Sequence, residues 1–212
     1  MKIIYEDKDL LVINKPAGIS VTELNYFPVH RLDKETSGIL LIAKNKETLE
    51  FFQKQFQERK VEKRYIALVI GEMKDNRGKE RIIKTLIGRS QKDRRKQKVY
   101  FVHNPDSEGK REAITKYKIL QKFQNYTLIE VNIETGRKHQ IRTHLAYLSY
   151  PIAGDKMYGF KNQSWLKELK RQFLHASYLK IKLPNNQIKE FKSELPEELK
   201  KVLKKLKKQN EN

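Results

Sequence analysis

Apolar residues come in short runs broken by charged turns, a pattern that predicts several strands and few helices. Ile3-Ile4-Tyr5 and Leu10-Leu11-Val12-Ile13 flank the polar stretch Glu6 to Asp9 and predict two strands, the second ended by Pro16 and Gly18. Ile39-Leu40-Leu41-Ile42-Ala43 is apolar at every position, which predicts a strand buried on both faces. Asn45 is placed to cap the following helix, in which Leu49, Phe52 and Phe56 recur at helical spacing. Tyr65 to Ile70, Ala113 to Leu120, Tyr126 to Ile133 and Phe173 to Leu183 read as further strands, with breaks at Gly71 and Gly136. His139 to Leu148 reads as a helix stopped by Pro151. Leu199, Val202, Leu203 and Leu206 share one face of a lysine-rich tail, so a docked amphipathic basic helix is expected at about 195–209, with a free basic tail as the alternative.

Between Lys74 and Arg111 charges dominate, and residues 74–111 are expected to form a basic hairpin or mobile lobe. Without repeats or linkers rich in Gly, Ser or Pro, one domain over residues 1–212 is expected. The chain carries 46 Lys+Arg against 26 Asp+Glu, a formal charge of +20. A Lys- and Glu-rich proteome raises both signs together, whereas an excess of one sign points to a polyanionic partner. The excess is concentrated in Arg89 to Lys98, where six basic residues stand against Asp93 alone. The absence of cysteine excludes disulfides, thiolate metal sites and a cysteine nucleophile. No apolar run approaches the roughly 20 residues of a membrane span, and the N-terminus turns acidic where a signal peptide is apolar, so a soluble cytoplasmic protein without a membrane partner is expected.

Three neighbourhoods set reactive side chains beside strands. His30-Arg31-Leu32-Asp33-Lys34-Glu35-Thr36-Ser37-Gly38 puts a carboxylate at the mouth of the buried strand; Asp33 is either a nucleophile or base, or a turn acceptor. Lys63-Arg64-Tyr65-Ile66-Ala67 starts a strand with a tyrosine that is either catalytic or a core residue with its hydroxyl at the surface. Thr135-Gly136-Arg137-Lys138-His139-Gln140-Ile141-Arg142-Thr143-His144 would set His139 and Arg142 on one helix face. His139 and His144 are spaced wrongly for a zinc-protease pair and lack its glutamate, so no metal is expected.

The first of these stretches resembles the HRLDxxTSG signature of the RluA-type RNA pseudouridine synthases. Further segments resemble that family in order: Asn14 to Gly18 its NKPxG turn, Lys63 to Ala67 its KxYxA segment, Gly88-Arg89 with Asp93-Arg94 its GRxxxDR piece, and Ala113 to Tyr117 its AxTxY piece. Thr135 to His144 resembles TGRxHQIRxH, followed by Gly154-Asp155, Tyr158-Gly159 and Leu174-His175-Ala176. The resemblance implies an α+β catalytic domain with a long, mixed, mostly antiparallel sheet, flanking helices and a central active-site cleft. It implies an isomerase that converts uridine to pseudouridine in ribosomal RNA or tRNA, without a cofactor, after flipping the base. Asp33 would be the catalytic carboxylate, attacking C1′ or C6 or removing the 2′ proton. Arg142 would pair with it, and Tyr65 would stack on the uracil and assist proton removal from C5. Arg31 would enter the space the base vacates and Leu174 would wall the pocket. Arg89, Arg94, Arg95 and Lys96 would hold phosphates, with His30, Arg137, His139 and Gln140 also contacting RNA.

The chain departs from the family pattern in its short stretch Val21 to Arg31, in Tyr150 where a histidine often precedes Pro-Ile, and in starting its catalytic strand at Ile3 with no S4-type domain before it. A stand-alone, monomeric enzyme without an obligate protein partner is the resulting expectation. The rival readings are a non-catalytic RNA-binding protein and a metal-dependent nuclease; the first predicts indifference to loss of Asp33, and the second needs clustered carboxylates that these motifs do not supply.

Overall fold

The structure is a computed structural model that describes all residues except 24–26, 75–78, 104, 161–165, 167–168 and 211–212, together with the backbone alone of 207–210. The described residues form two compact units. The first comprises residues 1–65 and 174–196, the second residues 66–173 and 197–212. The α+β class expected from the sequence is observed, with strands in both units and three α-helices among the described residues.

In the first unit, β1 (Lys2–Glu6) and β2 (Leu10–Lys15) pair antiparallel as the two apolar runs predict. β4 (Ser37–Ala43) lies against β2 along its whole length, Leu10 opposite Ala43 and Lys15 opposite Gly38. The short β3 (Phe27–Pro28) pairs with the far end of β4 on its other edge, and β10 (Leu174–Lys182) runs parallel to its beginning. Neighbouring strands pair with β4 on both edges, and its side chains are buried on both faces at all seven positions, which is why its sequence shows no alternation. β11 (Ile188–Lys192) closes this part as a hairpin partner of β10.

Helix α1 (Lys46–Gln57) begins where Asn45 accepts a hydrogen bond from the Thr48 N–H at 2.8 Å, the cap the sequence suggested. Its Phe52 enters a core formed with Leu10, Val12, Ile39, Leu41, Leu179 and Ile181. Gln55 clamps the end of β10, its amide donating to the Lys182 carbonyl at 2.8 Å and accepting from the Lys182 N–H at 3.2 Å.

β5 (Glu62–Ile70) passes from the first unit into the second. The second unit continues with β6 (Arg81–Arg89), β7 (Gln97–Tyr100), β8 (Arg111–Phe123) and β9 (Tyr126–Ile133), ordered β5-β9-β8-β6-β7. The charged stretch after Lys74 therefore contains regular structure: β6 buries Ile83, Thr85 and Ile87 on one face, and β6 and β7 form an antiparallel hairpin whose last register pair is Arg89 and Gln97. α2 (Gln140–Tyr147) packs against β7 and β8. α3 (Glu197–Asn210) docks on β8 by Leu199, Val202 and Leu206, while Leu203 is only half-buried. Its first turn is pinned by Glu198, which accepts from Arg171 at 2.8 Å.

Candidate functional site

Asp33 opens a tight turn closed by the Thr36 N–H to its own carbonyl at 2.9 Å, and β4 starts immediately afterwards. The turn is tied to the segment after β2. Gly18 N–H donates to the Lys34 carbonyl at 3.0 Å, and the fully buried Lys15 ammonium donates to the carbonyls of Pro16, Ile19 and Lys34 at 2.8, 2.9 and 3.1 Å. Two motifs separated in sequence are thus tied together through the backbone of the turn that carries the half-buried Asp33.

The exit from the turn is equally fixed. Gly38 has φ +119°, and a side chain there would place its Cβ 2.2 Å from the Ala176 carbonyl oxygen, so only glycine lets β4 and β10 approach in parallel. Beside it, Ser37 Oγ and His175 Nδ1 are 2.9 Å apart, and the other ring nitrogen of His175 meets the Ser193 carbonyl at 3.2 Å. Leu174, the expected pocket wall, is buried at the head of β10.

Tyr65, on β5, is buried, and burial together with the Asp33 charge pushes its phenol well above the ordinary tyrosine range. Asp33 and Tyr65 are therefore electrostatic neighbours within the first unit, and the phenol stays protonated at neutral pH. His30 stacks on Phe56 with 5.0 Å between ring centroids, and its Nε2 accepts the Leu41 N–H at 3.2 Å. Burial and the nearby Lys63 charge lower it to about 3, so it is a neutral packing group rather than a cation for phosphate. Arg31 is exposed beside the Asp33 turn.

In the second unit the residues preceding α2 are drawn inward. His139 is the N-cap, in the left-handed region at φ 54°, so it lies outside the helix and the shared helix face expected for His139 and Arg142 is not formed. Both residues meet at Tyr158 instead. His139 Nδ1 lies 2.9 Å from the Tyr158 hydroxyl, and the Arg142 guanidinium lies 5.0 Å from the centre of the Tyr158 ring. Arg142, 6% exposed, forms a fork with the fully buried Asp155, Nε to Oδ2 at 2.7 Å and Nη2 to Oδ1 at 2.9 Å. The Met157 and Tyr158 N–H groups also donate to that carboxylate, at 2.9 and 3.1 Å.

Gln140 is consumed by the interior. Its carbonyl accepts from the Thr135 hydroxyl at 2.8 Å and the Arg137 N–H at 3.0 Å, and its amide donates to the Ile114 carbonyl and Thr115 Oγ1, both at 3.0 Å. Thr115 passes the chain of donors to His144 Nδ1 at 2.8 Å, and His144 Nε2 lies 3.0 Å from Thr85 Oγ1. Arg137 donates through Nε to the Glu112 carbonyl at 2.8 Å. This network fastens α2 to β6 and β8. It joins the motif to two other segments, Thr85 on β6 and Glu112 to Thr115 on β8, which is why the motif alone did not reveal it.

The network makes a prediction about acid. Burial lowers His144 to about 4, from an ordinary value of 6.5, so neutral His144 is favoured in the folded state. Its contribution is fully present above pH 6.5 and is lost as pH falls toward 4, on the order of 3 kcal/mol in total. Urea midpoints measured from pH 7.5 down to pH 4.5 should fall more steeply for the native chain than for His144→Gln. Equal slopes would contradict the assignment.

The basic hairpin is a tied loop. Ser90 N–H donates to the Lys96 carbonyl at 3.0 Å and Lys96 N–H to the Asp93 carbonyl at 2.9 Å. Arg95 is engaged by Asp93 through Nε and Nη2, each at 3.0 Å, and these contacts hold the Asp93 carboxyl down at about 2. Arg89 and Arg94 are exposed, and Lys96 lies 6.0 Å from the Tyr158 ring centre. Among the described residues no three His, Asp or Glu side chains gather in a way that could hold a metal ion.

The family described as RNA pseudouridylate synthase matches residues 20–147. The ribosomal large subunit pseudouridine synthase D of Borreliella burgdorferi is 37% identical over 222 residues, covering 92% of this chain and 65% of that protein. An uncharacterised RNA pseudouridine synthase of Aquifex aeolicus is 41% identical over 197 residues, covering 80% of this chain and 59% of the other. The chain thus spans about three-fifths of the length of these relatives. Among solved structures, human RNA Pseudouridylate Synthase Domain Containing 4 superposes with a TM-score of 0.80 at 26% identity, covering 97% of this chain and 93% of that one. The family match takes in both the Asp33 turn and the α2 segment, and the curated likeness extends over most of the remaining sequence, so the chain belongs to the RNA pseudouridylate synthase family.

Proposed function

We propose that the protein isomerises uridines of structured RNA to pseudouridine, with Asp33 as the catalytic carboxylate. The observation that carries this reading is the Asp33 turn, whose backbone is tied down at the Lys34 carbonyl by Lys15 and Gly18 and whose carboxylate is an electrostatic neighbour of the buried Tyr65 phenol. Breaking the glycosidic bond, turning the uracil and rejoining it through C5 needs no redox partner. It needs an ionised carboxylate that attacks C1′ or C6, or that takes the 2′ proton. Arg142 is the arginine we assign to aiming that carboxylate. Tyr65 stacks on the flipped uracil and assists loss of the C5 proton, Leu174 walls the base pocket, and Arg31 enters the vacated stack.

Ribosomal RNA is the substrate class we favour, because several relatives are named for the large ribosomal subunit; tRNA is the alternative. We place the enzyme in the cytoplasm as a monomer working without a cofactor. Arg89, Arg94 and Lys96 contact phosphates, with Arg95 and Arg137 contributing once their intramolecular partners are exchanged for RNA.

The test uses in vitro transcribed ribosomal RNA carrying tritium at uridine C5. Joining C5 to the sugar expels that hydrogen, so turnover releases tritium, and carbodiimide-primer mapping locates the product. No release from ribosomal RNA or tRNA would refute the reading. With about six to ten phosphate contacts, RNA affinity should fall roughly a thousandfold to a hundred-thousandfold between 50 and 200 mM salt, and Arg94→Ala should lower the slope by about one. Filter binding across that range checks this, and a flat salt profile would contradict a phosphate-led interface.

A further inference from the structure

We propose that Tyr158 is the positioning residue through which the basic hairpin controls Arg142, so that RNA docking on the hairpin is felt at the guanidinium. This rests on the function proposed above, in which Arg142 aims Asp33. Neither the sequence motifs nor the reaction chemistry assigns Tyr158 such a task; it follows from what the side chain touches.

Tyr158 stands where three elements of the second unit converge. Its own N–H is held by Asp155 Oδ1 at 3.1 Å, which fixes its backbone to the carboxylate that grips Arg142. Its hydroxyl accepts the N–H of Gln97, the first residue of β7, at 2.7 Å and shares a hydrogen bond with His139 Nδ1 at 2.9 Å. Its ring carries the Arg142 guanidinium at 5.0 Å, with Lys96 at 6.0 Å.

The two restraints on Arg142 are complementary. The Asp155 fork fixes the guanidinium within its own plane, and the aromatic ring resists tilting out of it. One of them, the ring, is attached through its hydroxyl to the hairpin. Because the loop from Ser90 to Lys96 is closed by its own hydrogen bonds, a shift imposed on Arg94 or Lys96 by a phosphate moves Gln97 with it. Gln97 then moves the Tyr158 hydroxyl, and the ring moves Arg142.

Two variants separate the parts. Tyr158→Phe keeps the ring and loses the hydroxyl; Tyr158→Leu loses both. In single-turnover tritium release from labelled ribosomal RNA, Tyr158→Phe should raise the half-saturating enzyme concentration about fivefold and lower the maximal rate about threefold, because the hairpin no longer sets the guanidinium. Tyr158→Leu should show the same weakening and a further drop in maximal rate of about tenfold, the scale of a lost desolvated cation–π contact. The Arg142 Nε–H resonance gives a second readout independent of turnover. Adding a short RNA stem-loop should shift it in the native chain and leave it unmoved in Tyr158→Phe, while ring removal in Tyr158→Leu should displace it without RNA. The proposal is overturned if the two variants share the same rate and half-saturation, or if RNA shifts the resonance equally in native and Tyr158→Phe proteins. If Tyr158→Leu does not fold, Tyr158→Phe alone decides, since native half-saturation in that variant overturns the coupling. A native chain that binds RNA, shows the resonance shift and releases no tritium would sink the proposed function and leave the coupling standing.

Discussion

Asp33→Asn is expected to abolish pseudouridine formation while leaving the fold and RNA affinity intact. The described contacts that hold the turn use the backbone carbonyls of Asp33 and Lys34, so an asparagine side chain fits without disturbing them. What disappears is the charge. An amide neither attacks carbon nor accepts a proton usefully at neutral pH, so the rate should drop by at least about a thousandfold. Tritium release and carbodiimide-primer mapping measure this, and a melting temperature within a few degrees of native secures the interpretation. The same variant should leave an electrostatic trace: with the Asp33 charge gone, the Tyr65 phenol titrates at lower pH than in the native chain, burial still holding it above an exposed tyrosine. Full activity in Asp33→Asn would sink the assignment, and a non-catalytic RNA-binding role would then account for the basic surface.

Much of the first unit was legible because its elements are specified locally. A continuous apolar run can only be a covered strand or a buried helix segment, and the cap at Asn45 is written in adjacent residues. The hairpin after Lys74 was harder to read. Lys84, exposed between buried Ile83 and Thr85, and the arginines at both ends of β6 hide a strand whose alternate positions Ile83, Thr85 and Ile87 point inward. The site divides in the same way. Asp33 and Tyr65 could be picked out because each lies in a distinctive stretch, Asp33 in the turn before β4 and Tyr65 within β5. His30 and Gln140 were assigned to RNA from their motifs, yet their polar atoms are taken up by Leu41 in one case and by Thr115, Thr135 and Ile114 in the other. A motif gives residue types in order; whether a side chain faces the ligand or braces the scaffold depends also on partners in other strands, here Leu41 of β4 and Ile114 and Thr115 of β8. His139 illustrates the local limit too, since its left-handed conformation ends the helical spacing on which the His139 and Arg142 pairing was reasoned.

Asp155 and Tyr158 were visible only as members of a series, and their task emerges from a close approach. Gly154, at φ +78°, lies where a Cβ would sit 2.1 Å from the Arg171 carbonyl oxygen, and this lets the following carboxylate reach Arg142. The pair is buried on both sides, so breaking it from one side is expected to be costly. Asp155→Ala strands a guanidinium in the interior and should destabilise the protein by about 3 to 5 kcal/mol. Arg142→Met leaves Asp155 with the Met157 and Tyr158 N–H groups, so its cost should be smaller, about 2 to 3 kcal/mol. In the double variant no charge is left unpaired, and the loss should fall short of the sum of the singles by about 1 to 3 kcal/mol. Activity should separate from stability: Arg142→Met, the milder lesion to the fold, should lose turnover as completely as Asp155→Ala, because both remove an aimed guanidinium. Urea unfolding of the four proteins, paired with tritium release at a temperature where all remain folded, measures both quantities. Strict additivity in the stability cycle would show that Arg142 and Asp155 do not depend on each other, and native turnover in Arg142→Met would remove Arg142 from the reaction.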